Sequence, residues 1–316
     1  MNRLGVIGTM VWDSIYGRGP QSEPVEEWGG IAYALAALET SLPANWELVP
    51  LIKVGKDLAP VANTFLNALT HRSAADRFVE VPDPNNRVTL HYESSHRRAE
   101  RLTGGVPPWT CAELGPMVTD LDAIYINFIS GFEMDLTTAQ CLRQGFDAPI
   151  YADLHSLFLG VANNGLRIPQ AIPEPDQWLS CFDVVQINED ELSLLGPDPM
   201  EVAARAMALG VRLLVVTLGP EGAVYFTTEH FDFTRTRDTH PVGTIKTARI
   251  AVERDLEDGD PTGCGDVFGG ALAAALLQQQ DVETAVRQAN STARRNLSAR
   301  GATNLQYHLR GSIAPR

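Results

Sequence analysis

The 316-residue sequence is poor in several things, and each absence excludes something. It has four cysteines, Cys111, Cys141, Cys181 and Cys264, widely spaced and in no CxxC or Cys/His cluster. Neither a zinc site nor a redox pair is expected, and the usage suits a reducing cytoplasm. Basic charge is scarce: 25 Lys and Arg against 39 Asp and Glu leave a net charge of −14. A nucleic-acid binder needs a basic surface to displace phosphate counterions, so nucleic acid is not an expected partner. A small anion held locally by backbone amides is still allowed. The longest apolar run, 267–277, is too short to span a bilayer, so no membrane partner is expected. The apolar run that stops at Asp13 has no small-residue cleavage pattern after it and reads as a first strand, not a secretory signal. There is no G-x-x-x-x-G-K-[ST] loop and no G-x-G-x-x-G behind the first strand. A P-loop route and a dinucleotide oxidoreductase are therefore unsupported. The 26 Gly and 20 Pro are too few to suggest disorder.

What is present alternates. Apolar runs at 4–12, 47–54, 123–129, 149–152, 182–187 and 212–218 read as buried strands, mostly separated by segments of helical spacing such as 31–38 and 58–69. That alternation argues for a parallel sheet covered on both faces. Residues 87–103 differ. Val88, Leu90 and Tyr92 alternate with Thr89, His91 and Glu93, the period of a half-exposed antiparallel strand. Shorter β-like runs follow at 223–227, 231–234 and 244–252, then helices at 266–279 and 282–299. The length allows roughly two domains, or one large α/β domain with an insertion. No Gly-, Ser- or Pro-rich linker divides the chain, so one domain over 1–316 is expected. Two excursions, about 14–33 and 87–105, would build a small antiparallel lid.

The richest stretch for chemistry is Asp260-Pro261-Thr262-Gly263-Cys264-Gly265-Asp266, followed at once by Val267-Phe268-Gly269-Gly270-Ala271-Leu272. Glycines permit a tight turn and a close approach to a ligand. The free N–H groups of a following helix, with its dipole, make an anion site. An ionised Asp beside an anion site suits a base that takes a proton from a hydroxyl while the loop steadies developing charge. The plain alternative is that Asp266 is an N-cap and the glycines a turn. Cys264, at a helix N-terminus, is expected to have a lowered thiol pKa.

The string resembles the second signature of the PfkB/ribokinase family of carbohydrate and nucleoside kinases, with Pro261 in place of the usual Thr and Cys264 in place of the usual Ala. Asn188-Glu189-Asp190-Glu191 resembles the family N-x-x-E motif, although a capping box would read the same. The stretch from Val215 to Ala223 is similar to the family turn beside the nucleotide. Asp13 with Gly29-Gly30 is similar to its acceptor-binding front.

The resemblance implies a ribokinase-like three-layer α/β sandwich with a mostly parallel central sheet and a small antiparallel β lid. It implies transfer of the γ-phosphoryl group of ATP to a hydroxyl of a small sugar or nucleoside. Asp266 would be the general base, and the amides of Gly263, Cys264 and Gly265 the anion hole. Asn188, Glu191, Thr217, Gly219, Gly222 and Asn290 would hold the nucleotide; Asp13, Gly29 and Gly30 would hold the acceptor. Mg²⁺ would sit near Glu191 through water, and a monovalent cation such as K⁺ near Asp260. A cytoplasmic enzyme is implied, with a homodimer through the lid as its expected assembly.

Two departures bear on the acceptor. Ala34 stands where the family commonly has Asn, and Trp12, Trp28 and Tyr33 cluster in sequence. Both tilt the acceptor toward a nucleoside or a less polar ring. His91, His96, Arg97, Arg98 and Arg101 read as a solvated lid face, although arginine forks also suit a phosphate already on the substrate. The alternatives are a non-catalytic sugar or nucleotide sensor of the same fold, or a sugar-phosphate kinase.

Overall fold

The computed structural model describes residues 1–16, 24–75, 77–92, 98–229, 231–235, 243–252 and 259–314. A large sheet runs through the middle. Its parallel strands are β1 (Asn2–Ile7), β4 (Trp46–Gly55), β5 (Arg77–Val81), β8 (Ala123–Asn127), β9 (Ile150–Asp153), β12 (Val184–Asn188) and β13 (Leu213–Thr217). The antiparallel strands β14 (Ala223–Thr228) and β15 (Ile245–Ile250) close one edge, giving the order β15-β14-β13-β12-β9-β8-β1-β4-β5.

The strands are apolar on both faces because both faces are covered. On one side lie α1 (Ile31–Ser41), α2 (Ala59–Asn67), α8 (Cys264–Leu277), α9 (Val282–Asn296) and α10 (Leu305–Arg310). On the other lie α3 (Cys111–Met117), α4 (Leu136–Gly145), α5 (Pro175–Leu179), α6 (Glu189–Leu195) and α7 (Pro199–Ala208). Each layer has its own buried cluster, as a three-layer α/β/α sandwich requires.

A second sheet, in the order β3-β2-β6-β7, joins two antiparallel hairpins. One is β2 (Met10–Tyr16) with β3 (Val25–Gly30); the other is β6 (Arg87–Tyr92) with β7 (Arg98–Thr103). Strands β2 and β6 run parallel where the hairpins meet. Residues 17–23 of the first excursion, together with His96 and Arg97, lie outside the described residues. A short ribbon of β10 (Leu159–Val161) and β11 (Arg167–Pro169) packs beside β7.

Three expectations need correction. The run 4–12 is two strands, not one: β1 belongs to the large sheet and β2 to the small one. The chain turns between them at Gly8, where a side chain would strike Ile31. Residues 231–234 form no strand; Asp232 turns the chain there by accepting from the Thr234 N–H and hydroxyl. Cys111 and Cys141, expected to stay unpaired, are bonded, with Cα atoms 6.0 Å apart. Helices α3 and α4 bring them together, which spacing along the chain does not show.

Candidate active site

Strand alternation sets the floor of the site. On β8, Ile124 and Ile126 face the α4 layer, so Tyr125 and Asn127 face α8. By the same period Asp153 of β9, Gln186 and Asn188 of β12, and Thr217 of β13 point to the α8 side. Asn127 pairs with Asp153 and Asp153 with Gln186 across the sheet. A row of polar residues therefore crosses the carboxyl ends of adjacent strands, the usual ligand crevice of an open α/β sheet.

The glycine loop sits above this row. Gly263 is the N-cap of α8, with φ +76°, and a Cβ there would lie 2.4 Å from the Tyr33 ring. Both facts demand glycine. Helix α8 begins at Cys264, so Asp266 is its third residue and not its cap. The Cys264 N–H donates to the Pro261 carbonyl at 3.1 Å. That leaves the amides of Gly263 and Gly265, which have no acceptor among the described residues, as the donors free for an anion. The Cys264 thiol donates to the Ala293 carbonyl and accepts from Asn296 Nδ2, both at 3.4 Å. Burial raises it to about 11, against the Asn296 hydrogen bond. The expectation of a lowered thiol pKa fails because burial outweighs the helix terminus.

Asp266 is held from below. Asn127 Nδ2 donates to its Oδ1 at 2.8 Å. Gln186 Nε2 donates to the Gly265 carbonyl at 3.0 Å and to Asp153 Oδ2 at 2.8 Å, while Tyr151 donates to Gln186 Oε1. Burial, then the Asp266 charge, pushes the Asp153 carboxyl well above the usual carboxylate range.

At the head of α6, Asn188 and Glu191 form the capping box. Glu191 also takes a partner that sequence reasoning missed: His155 Nδ1 lies 2.5 Å from its Oε1. Burial works against the imidazolium. The Glu191 hydrogen bond and charge outweigh it, Asp153 and Glu100 add to them, and the His155 pKa rises to about 9.

The remaining nucleotide candidates divide. Thr217 ends β13 in register with Asn188, and Gly219, with φ +54°, has open space around it. Gly222 and Asn290 meet the β15 backbone. A Cβ on Gly222 would lie 2.0 Å from the Ile250 carbonyl oxygen, and buried Asn290 Nδ2 donates to that same oxygen at 3.0 Å.

At the acceptor end the Asp13 carboxylate lies over Gly29, where a Cβ would stand 1.8 Å from Oδ2. Gly30, with φ +59°, turns into α1 under the Thr9 carbonyl. The buried Tyr33 hydroxyl is pushed well above its ordinary pKa, by burial first and then by Asp13, Asp260 and Asp266. Asp13, Asp260 and Asp266 thus all lie within electrostatic reach of one hydroxyl. Asp260 Oδ1 accepts from the Thr262 N–H and hydroxyl, and Tyr92 of the small sheet bonds Thr262 Oγ1 at 2.6 Å. Trp12 and Trp28 stack edge to face, 5.1 Å between centroids, with Trp28 buried. Ala34 is wholly buried against Gly270 of α8, so position 34 serves helix packing. His91 stacks on Tyr16 at the surface, and Arg101 Nη1 reaches the Asn164 carbonyl.

Asn127, Asp153, Gln186, His155 and Tyr92 escaped the sequence reading. The signal for the first three was a polar residue closing an otherwise apolar parallel strand.

Residues 163–308 match the model described as the pfkB family carbohydrate kinase. Over 139 residues the chain is 28% identical to a ribokinase of Arabidopsis thaliana, covering 41% of this chain and 32% of that protein. The match thus spans about a third of the curated relative's length. The Arabidopsis thaliana ribokinase structure complexed with ribose and ATP superposes with a TM-score of 0.69 at 18% identity, covering 98% of each chain. A Burkholderia thailandensis nucleoside kinase in complex with inosine gives 0.69 at 18% identity, over 95% of this chain and 92% of that one. At these identities the structural likeness speaks for the fold.

Proposed function

We propose that this chain, whose residues 163–308 match the pfkB family carbohydrate kinase model, is a kinase of that family and transfers the γ-phosphoryl group of ATP to a hydroxyl of a small sugar or nucleoside. The observation that carries this reading is the Asp266 carboxylate in the first turn of α8, beside the amides of Gly263 and Gly265, which have no acceptor among the described residues. Asp266 takes the hydroxyl proton as the oxygen attacks. The amides and the helix dipole neutralise charge on the transferring group. Asp13, over Gly29, accepts acceptor hydroxyls and aims one of them at Asp266. Thr217 and Gly219 border the donor, with the Asn188–Glu191 corner beside its phosphates. A non-catalytic sensor would have no use for a carboxylate placed against the anion loop.

Glu191 fits Mg²⁺ through water only. Its oxygens already accept from the Asn188 N–H, Asn188 Nδ2 and His155. Among the described residues no three His, Cys, Asp or Glu side chains gather as a metal cage. That suits an ion carried on the nucleotide phosphates with most of its waters, where it would neutralise phosphate charge. Asp260 fits a monovalent cation: one oxygen is held by Thr262, and the other has no hydrogen-bond partner among the described residues. The small sheet, tied to the anion loop through Tyr92 and Thr262, acts as a lid that excludes water during transfer. Use of ATP suits a cytoplasmic enzyme, although the Cys111–Cys141 bond is of a kind uncommon there, and the lid is the surface through which two copies would pair.

A thermal-shift screen of sugars, nucleosides and sugar phosphates, run with a non-hydrolysable ATP analogue, identifies the acceptor. An unphosphorylated polyol or nucleoside should raise Tm and then support acceptor-dependent ADP release. Release of ADP with no acceptor requirement contradicts the proposal. A response to sugar phosphates alone would shift the substrate class.

A further inference from the structure

We propose that Asn127 is the positioning residue of the Asp266 base: its amide anchors one carboxylate oxygen and so sets the way the carboxylate faces the acceptor hydroxyl. The inference rests on the kinase reading for its consequence but not for its geometry. Asn127 closes β8 on the α8 face, is fully buried, and donates from Nδ2 to Asp266 Oδ1 at 2.8 Å. Its own Oδ1 is buried and makes no hydrogen bond among the described residues. A structural polar residue in a core normally satisfies both ends of its amide. Here the nitrogen donates to the carboxylate, and the Tyr125 hydroxyl is the polar neighbour left beside the amide.

Asp266 is faced by Asp153 from β9, Tyr33 from α1, Tyr125 from β8 and Cys264 from its own helix. Asp153 is a second acid, and the other three are groups that burial keeps neutral; none of the four is a cation. Asn127 and the α8 terminus favour the anion, and the Asn127 amide also fixes the carboxylate's rotation. Gln186 is a contrast from the same floor of the sheet: its amide bolts the Gly265 carbonyl and Asp153.

The test follows Asp266 itself. With [γ-¹³C]Asp labelling, its resonance is identified by loss in Asp266→Asn and titrated in wild type, Asn127→Leu and Asn127→Asp. A donor to the charged form lowers a carboxyl pKa and a like charge raises it. Asn127→Leu should therefore move the midpoint up by about one pH unit, and Asn127→Asp further. The acid limb of kcat should move with it. A midpoint unchanged in both variants overturns the proposal, even if kcat falls, because a purely structural amide would cost stability without moving that titration. If Asn127→Leu prevents folding, Asn127→Asp, nearly the same shape, still decides. A shifted midpoint in a protein that phosphorylates no acceptor would overturn the kinase reading and leave the positioning role standing.

Discussion

His155 carries a proton near neutrality because Glu191 and Asp153 outweigh the cost of its partial burial. The folded-state pKa of about 9 lies above the 6.5 of a free histidine, so the contribution to stability is fully present below about pH 6.5 and lost as pH rises through about 9. The side chain is 40% exposed, and solvent screening keeps the effect modest. His155→Gln should lower Tm most at pH 6 and have no effect by pH 10. An equal loss at both pH values would show that the ion pair contributes nothing. The residue scale is also where the sequence was least legible. Asp266 stood out because two glycines and a helix surround it along the chain. Asn127, which binds it, is 139 positions away. Only strand pairing sets Asn127, Asp153 and Gln186 side by side, so no local pattern could join them to the glycine loop.

At the scale of elements, α1 and α8 pack so closely that glycine is required between them. A Cβ on Gly270 would lie 2.6 Å from the Ala34 carbonyl oxygen and 3.1 Å from the Ala37 Cβ. In an open helix Gly→Ala gains about 1 kcal/mol. Overpacking against backbone costs about 1–3 kcal/mol. Gly270→Ala should therefore lower the denaturation midpoint despite its better helix propensity; a higher midpoint would mean that α1 slides away freely. The same contact explains why the absence of Asn at position 34 says little about the acceptor: Ala34 looks into the core. Long apolar strands and the α8 helix were readable from their periods. The break at Gly8 was not, because β1 and β2 are both apolar and only their partners differ. Gly222 and Asn290 both meet the Ile250 carbonyl, a contact between β15, the β13–β14 turn and α9 that sequence order conceals.

Across the whole molecule, the two halves of the proposed reaction come from distant parts of the chain. The acceptor end is built by Asp13, Gly29 and Gly30, the anion loop by 263–266, and the donor border by 188–191 and 217–219. The sheet order, with β9 at the centre and β8 and β1 next to it, carries all three to the carboxyl edge. The small sheet reaches across to Thr262 through Tyr92. That architecture was legible as a class because strand–helix alternation dictates a covered parallel sheet. The Cys111–Cys141 bond and the β10–β11 ribbon were not, since neither leaves a periodic trace. In the proposed reaction Asp266 removes the proton while main-chain amides hold the phosphoryl group. Turnover of Asp266→Asn, measured with the acceptor found by screening and alongside binding of a non-hydrolysable ATP analogue, tests it most directly. A fall in kcat of ~10²–10⁴ with analogue affinity unchanged is expected. Turnover near that of the wild type would contradict it.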